Sequence, residues 1–231
     1  MAKVLVIAPH SDDECLGAGG TIALFARVGA TVTVVTVCSE LPPQFDAGDR
    51  ELIQEEARRA HAVLGVKESI FFDYPTTAVN QVPVAELNGR MQRVVDDQRP
   101  DVVLLPFPDR HIDHRIAFES AVVATRPYRD GREIRLTAMY ETISETYWNV
   151  PGAEPAFSPH WTVDITDVVQ TKIDAFGEMP SRHAGFPGPR SPEALLGLAQ
   201  LRGSQASCGY GEAFQLIRTS LSPADLSGVF G

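Results

Sequence analysis

The sequence predicts an α/β fold in which a mostly parallel sheet lies between two layers of helices. Three observations predict it. Apolar runs rich in β-branched residues recur at residues 4–8, 31–37 and 101–106, as expected of strands buried on both faces. Segments of helical periodicity separate them. The resulting order β-α-β-α-β-α-β calls for right-handed crossovers and a doubly wound, Rossmann-like three-layer arrangement.

Each element has its own justification. Residues 4–8 form the first strand, and a helical pattern runs from about 21 to 28 after Gly17, Gly19 and Gly20. Residues 31–37 are β-branched throughout and make the second strand. A loop at 39–48 follows, with two prolines and a glycine. Residues 49–64 carry apolar positions at helical spacing and stop at Gly65. On that helix Glu55, Glu56, Arg58 and Arg59 read as a solvated face, and His61 as a surface or satisfied residue rather than a ligand. A short strand at 69–73, a polar loop at 74–83 and a helix at 84–98 lead to the fourth strand, 101–106. A helix at about 115–125 follows. The last third is less regular: strands at 136–141, 161–165 and 213–217, and helices at 167–176 and 192–201, the latter with Pro192 at its first position. The tail after Ser220 is expected to drape on the surface or remain disordered. No linker marks a second domain, so 1–231 reads as one unit. About 1–126 would be its core and about 127–220 an elaboration that shapes a pocket.

Composition narrows the function. The chain has 231 residues, 44% hydrophobic and 22% charged, ordinary values for a globular domain with a substantial core. A formal net charge of −10 argues against nucleic acid or an anionic membrane as partner. No apolar run approaches the roughly 20 residues of a membrane span, and no basic, cleavable leader opens the chain, so the expected location is cytoplasmic. Cys15, Cys38 and Cys208 have no metal spacing, and Cys15 reads as packing in a helix.

Chemistry concentrates in two places. His10, Asp12, Asp13 and Glu14 sit just beyond the first strand, where ligands bind in parallel α/β sheets. Carboxylates this close are costly unless something positive lies among them, and a divalent metal would also explain the histidine. Helix capping is the alternative for this turn taken alone. The fourth strand ends in the same way, in Asp109, His111, Asp113 and His114. The first and fourth strands are neighbours in a Rossmann-like order, so the two turns should face each other across the switch point. Capping does not explain two such clusters in one crevice, which places a metal site at the C-terminal ends of strands 1 and 4.

Pro9-His10-Ser11-Asp12-Asp13-Glu14 together with Asp109-Arg110-His111-Ile112-Asp113-His114 resembles the paired motifs of the LmbE-like (PIG-L) de-N-acetylases. Ser11 replaces a proline that is usual in the first motif. The stretch from Gly17 to Gly20, Asp164 to Asp167 with Lys172, and Gly211 to Phe214 extend the likeness along most of the chain. The resemblance implies that His10, Asp13 and His114 hold Zn2+ with an open position for water, a catalytic zinc pattern. Iron(II) or another divalent ion would suit the same donors. It further implies that Asp12 is the general base, and that His111, paired with Asp113, stabilises the oxyanion as imidazolium or protonates the leaving amine. Asp109 would orient neighbours or form a turn. Many members carry an arginine where this chain has Ile53. Arg50, one turn earlier, is then the expected substitute for binding substrate, with His183 as a second contact. Glu212 would shape the pocket or close a turn. The implied substrate is an N-acetylated amino sugar of the N-acetylglucosamine type, with a larger amide conjugate or a non-catalytic binding module as alternatives. The oligomeric state stays open, a homo-oligomer included.

Overall fold

A computed structural model describes residues 1–220, apart from the side chains of 129 and 130. The tail expected to drape on the surface lies outside the described residues. Seven strands form one sheet in the order β3-β2-β1-β4-β5-β7-β6. They are β1 (Lys3–Ala8), β2 (Thr31–Ser39), β3 (Glu68–Pro75), β4 (Val102–Pro106), β5 (Leu136–Tyr140), β6 (Trp161–Asp164) and β7 (Gly211–Thr219). The first five pair in parallel. Only β7 runs against its neighbours, β5 and β6.

Alternation along β1 explains the layers. Val4, Val6 and Ala8 enter one core with residues of α1 (Asp13–Arg27), α2 (Asp49–Leu64), α5 (Val169–Gly177) and α6 (Pro192–Gln205). Leu5 and Ile7 enter the other with α3 (Val84–Gln98) and α4 (Ile112–Ala124). A strand buried on both faces has no solvent side to mark with polar residues, which is why these runs are continuously apolar.

Two helices start earlier than their sequence patterns suggest. α1 begins at Asp13, so Gly17, Gly19 and Gly20 lie inside it rather than in a loop before residue 21. The cause is close packing. A Cβ on Gly17 would stand 2.2 Å from the Tyr140 ring, and one on Gly20 would stand 2.8 Å from Ile165. Glycine is a poor helix former, so local propensity hides this helix until its neighbours are known. α4 likewise begins at Ile112, which puts Asp113 and His114 in its first turn rather than ahead of it.

Side chains from the C-terminal third enter the α1 ladder. Glu212 accepts hydrogen bonds from the Gly20 and Thr21 amides at 2.9 and 2.7 Å and from the Thr21 hydroxyl at 2.7 Å. Lys172 Nζ donates to Glu212 at 2.6 Å and to the Leu16 carbonyl at 2.9 Å. These main-chain groups of α1 therefore meet charged partners, Glu212 and Lys172, which are themselves buried. Glu212 thus seats helix α1; it does not close a turn.

The solvated face expected on α2 needs one correction. Glu56 is buried and accepts hydrogen bonds from the amide and hydroxyl of Ser181, because the C-terminal part covers that side of the helix. His61 is satisfied. Its Nε2 lies 3.1 Å from Glu14 and its Nδ1 2.7 Å from the Ser69 hydroxyl, a buried brace on the first turn of α1.

Candidate metal centre

The two His/Asp turns meet because β1 and β4 are hydrogen-bonded neighbours. After β1 the chain turns sharply, and the amides of Asp12 and Asp13 both donate to the His10 carbonyl, at 2.9 and 3.4 Å. The Asp13 carboxylate folds back and accepts from the His10 amide at 2.9 Å. After β4, the His111 amide donates to Asp109 Oδ1 at 3.0 Å. His111 then caps α4, its Nδ1 accepting from the Asp113 amide at 3.2 Å.

Three donors converge. Asp13 Oδ2 lies 3.2 Å from His10 Nδ1 and 3.3 Å from His114 Nε2. Ligand atoms held about 2.0–2.1 Å from one tetrahedral ion are themselves about 3.3–3.4 Å apart. Ring nitrogens of His10, His111 and His114 also lie within 4.8 Å of one another. Asp12, Asp13, Asp113 and His114 are fully buried, and His10 nearly so. Nevertheless both oxygens of Asp12, one each of Asp13 and Asp113, and Nε2 of His114 have no hydrogen-bond partner. Buried polar atoms are normally paired. The unpaired Nε2 of buried His114 faces Asp13 Oδ2, with His10 Nδ1 beside that oxygen, an arrangement a cation would satisfy, so the donor set fits a divalent metal.

A second ring of contacts orients these groups. Asp109 Oδ2 lies 3.0 Å from His114 Nδ1 and accepts from the Thr146 hydroxyl at 2.9 Å. Asp113 Oδ2 lies 2.9 Å from His10 Nε2 and accepts from the Thr77 amide at 2.7 Å. Both histidines therefore meet a carboxylate through the ring nitrogen that faces away from Asp13. Such carboxylate–histidine pairs are the usual outer support of a metal site.

The electrostatics separate the histidines. Burial opposes charge on His10, yet the carboxylates of Asp113 and Asp13 outweigh it and lift its pKa to about 9. His114 behaves alike, with Asp13 and Asp109 raising it to about 10. Burial would raise Asp13, but His114 and His10 hold it well below the usual carboxylate range. His111 goes the other way. Burial first, then the charges of His10 and His114, push it down to about 4.

The pairing of His111 with Asp113 runs through the main chain, for its Nδ1 stands 3.9 Å from the carboxylate. With Nδ1 accepting, a neutral His111 carries its proton on Nε2. In that neutral form the ring can still donate a hydrogen bond from Nε2. Cys15 is buried inside α1, where burial and then Glu14 raise its thiol pKa, as suits packing rather than attack.

The two expected substrate contacts lie apart from this cluster. Arg50 is exposed and pairs with its neighbour Glu51 at 2.5 Å. His183 Nε2 lies 2.7 Å from the Phe176 carbonyl, and its ring packs on the Phe176 ring. Two other cations reach the site instead. Arg190 Nε lies 3.3 Å from Asp12 Oδ2, and half-buried Arg182 pairs with Glu40 and feels the charge of Asp12. Nothing in the local sequence announced them, since each lies more than a hundred residues from its partner.

The profile of the PIG-L family, described as GlcNAc-PI de-N-acetylase, matches residues 5–125, over half of the chain. The chain belongs to the PIG-L family. Among its relatives, the diacetylchitobiose deacetylase of Thermococcus kodakarensis is 29% identical over 187 residues, covering 75% of this chain and 67% of that one. The 1D-myo-inositol 2-acetamido-2-deoxy-alpha-D-glucopyranoside deacetylase of Thermobispora bispora is 25% identical over 232 residues, covering 80% and 77%. In structure the chain resembles GalB, the 4-carboxy-2-hydroxymuconate hydratase of Pseudomonas putida KT2440. The TM-score is 0.77 at 23% identity, over 96% of this chain and 98% of that one. The last likeness concerns the fold alone, and within this fold the site must decide the chemistry. Among the described residues no helix is long and apolar enough to cross a membrane.

Proposed function

We propose that this chain is a zinc-dependent N-deacetylase that removes the acetyl group from an N-acetylglucosamine-type conjugate, releasing acetate and a free amine. One observation carries the reading: donor atoms of His10, Asp13 and His114 converge at metal-ligand spacing, next in sequence to Asp12, whose carboxylate accepts no hydrogen bond. Deacetylase activity on such sugars in family relatives supports it. Residues 1–126 carry every donor, and residues 127–220 shape the approach to them.

His10, Asp13 and His114 would hold the ion. Zinc, when bound, supplies Lewis acidity at the amide carbonyl and acidifies water toward a pKa of about 7. Asp12, adjacent to the donors and accepting no hydrogen bond, takes the proton of the attacking water and returns it to the departing nitrogen. Amide cleavage needs that return, because an unprotonated amine is a poor leaving group. His111 donates its Nε2 proton to the developing oxyanion, a role open to a neutral imidazole. Asp109 and Asp113 keep the two ligand rings turned.

The test combines metal analysis with acetate release from N-acetylglucosamine conjugates. Wild type should hold one zinc and release acetate. Asp12→Asn should keep the zinc and lose about 10²–10⁴-fold in kcat, the usual value of a positioned base. Full activity in Asp12→Asn would sink the base assignment. Protein that takes up no stoichiometric metal would sink the whole reading.

A further inference from the structure

Two arginines flank Asp12 from the opposite stems of one loop. Residues 181–191 connect the 3-10 turn Pro180–Arg182 to Ser191, the N-cap of α6. The Ala184 amide closes the loop by donating to the Arg190 carbonyl at 2.8 Å. The first stem is largely engaged, with Arg182 Nε unpartnered among the described residues: Ser181 meets Glu56, Arg182 meets Glu40 and His183 meets Phe176. Arg190, on the second stem, is not. Its Nε donates to the Ser144 hydroxyl at 3.2 Å and lies 3.3 Å from Asp12. Its two terminal nitrogens make no hydrogen bond among the described residues, and its side chain is 30% exposed.

A guanidinium fixed along its Nε edge presents the rest of its plane as a two-donor fork. That fork matches the paired oxygens of a carboxylate or phosphate. A chain of net charge −10 repels anions in general, so an open guanidinium beside the candidate base is a local exception. We propose that Arg190 determines specificity by binding an acidic substituent, carboxylate or phosphate, on the amino-sugar substrate. The inference rests on the deacetylase reading and extends it to a substrate class.

The test measures kcat and KM on the methyl glycoside of N-acetylglucosamine, its 1-phosphate and a glycoside bearing a carboxylate. Wild type should prefer an acidic substrate about tenfold or more in kcat/KM, as a charge-assisted pair allows. Arg190→Gln should erase that preference through KM, and Arg190→Lys, which keeps the charge without the fork, should restore part of it. The phosphate and carboxylate arms identify which acid is read. An equal drop in kcat on all three substrates would make Arg190 a positioning residue for Asp12 and overturn the proposal.

A binding arm separates this inference from the activity it rests on. Calorimetry compares glucosamine 1-phosphate with methyl glucosaminide on zinc-loaded protein and needs no turnover. Tighter binding of the phosphate that vanishes in Arg190→Gln supports the role of Arg190, whichever conjugates are hydrolysed. Equal binding of the two overturns it. Absence of acetate release from every conjugate would instead count against the deacetylase reading.

Discussion

The two sides of the site are built differently. The candidate metal donors and the candidate base come from turns that end two adjacent, mostly buried parallel strands. The cations beside them, Arg182 and Arg190, come from a loop in the C-terminal third. Strand ends in a close-packed sheet are held by ladders on both sides, which gives the precision that a metal and a proton transfer demand. Loops vary with little cost to the core, which suits them to reading what is attached to the sugar. The proposed chemistry and the proposed substrate contact thereby lie on separate parts of the molecule.

Several substitutions sharpen or break that division. The largest effect is expected at the strand ends: His114→Ala should abolish stoichiometric metal and reduce acetate release to background, read by metal analysis and assay. Retained zinc there would mean that the donors lie elsewhere. Lys172→Met tests whether the C-terminal third also supports the strand-end machinery. It leaves the Glu212 carboxylate buried without its cation and should cost about 3–5 kcal/mol of stability in urea unfolding. A loss below about 1 kcal/mol would mean that α1 is seated by packing alone. Asp109→Asn keeps the shape of the support behind His114 but removes its charge, and should weaken zinc about 10–100-fold in a chelator competition. An unchanged affinity would remove Asp109 from the outer support.

The smallest effect concerns pH. In metal-free protein His10 and His114 have pKa values raised from 6.5 to about 9 and about 10 by their carboxylate neighbours. A raised pKa stabilises the fold fully below the unfolded value near 6.5 and loses that contribution as pH rises through 9–10. The melting temperature of metal-free protein should therefore fall between pH 7 and 10. Zinc uptake at pH 7 should expel a proton from each ring, detected by calorimetry in buffers of different ionisation enthalpy. A flat melting profile with no proton release would show that the rings are neutral before metal arrives.

The strands and the candidate donor residues stood out in the sequence because their signals are local. A run such as Thr-Val-Thr-Val-Val-Thr-Val in residues 31–37 can hardly be anything but a buried strand. His10 and Asp13 are three residues apart, and so are His111 and His114, so each turn carries its chemistry within one short stretch. The start of α1 was not legible. Gly17, Gly19 and Gly20 read as loop residues by propensity, and only the Tyr140 ring, the Lys172 stem and Ile165 explain why they are helical and small.

What the sequence by itself determined is therefore the sheet core, the pairing of two His/Asp turns and the ligand types they bring. Those follow from residue identity and short spacing. Tertiary structure alone decided that burial and the charges of His10 and His114 lower the pKa of His111, that His10 and His114 each back onto a carboxylate, and that Lys172 and Glu212 bond main-chain groups of α1. It also decided that Arg190, rather than Arg50, reaches Asp12. Apart from the His114–Asp109 and His111–His114 pairs, five and three residues apart, these depend on groups that meet across 40 to almost 200 residues of chain. The physical reason is that burial and charge act through distance in space, and the path of the chain sets that distance.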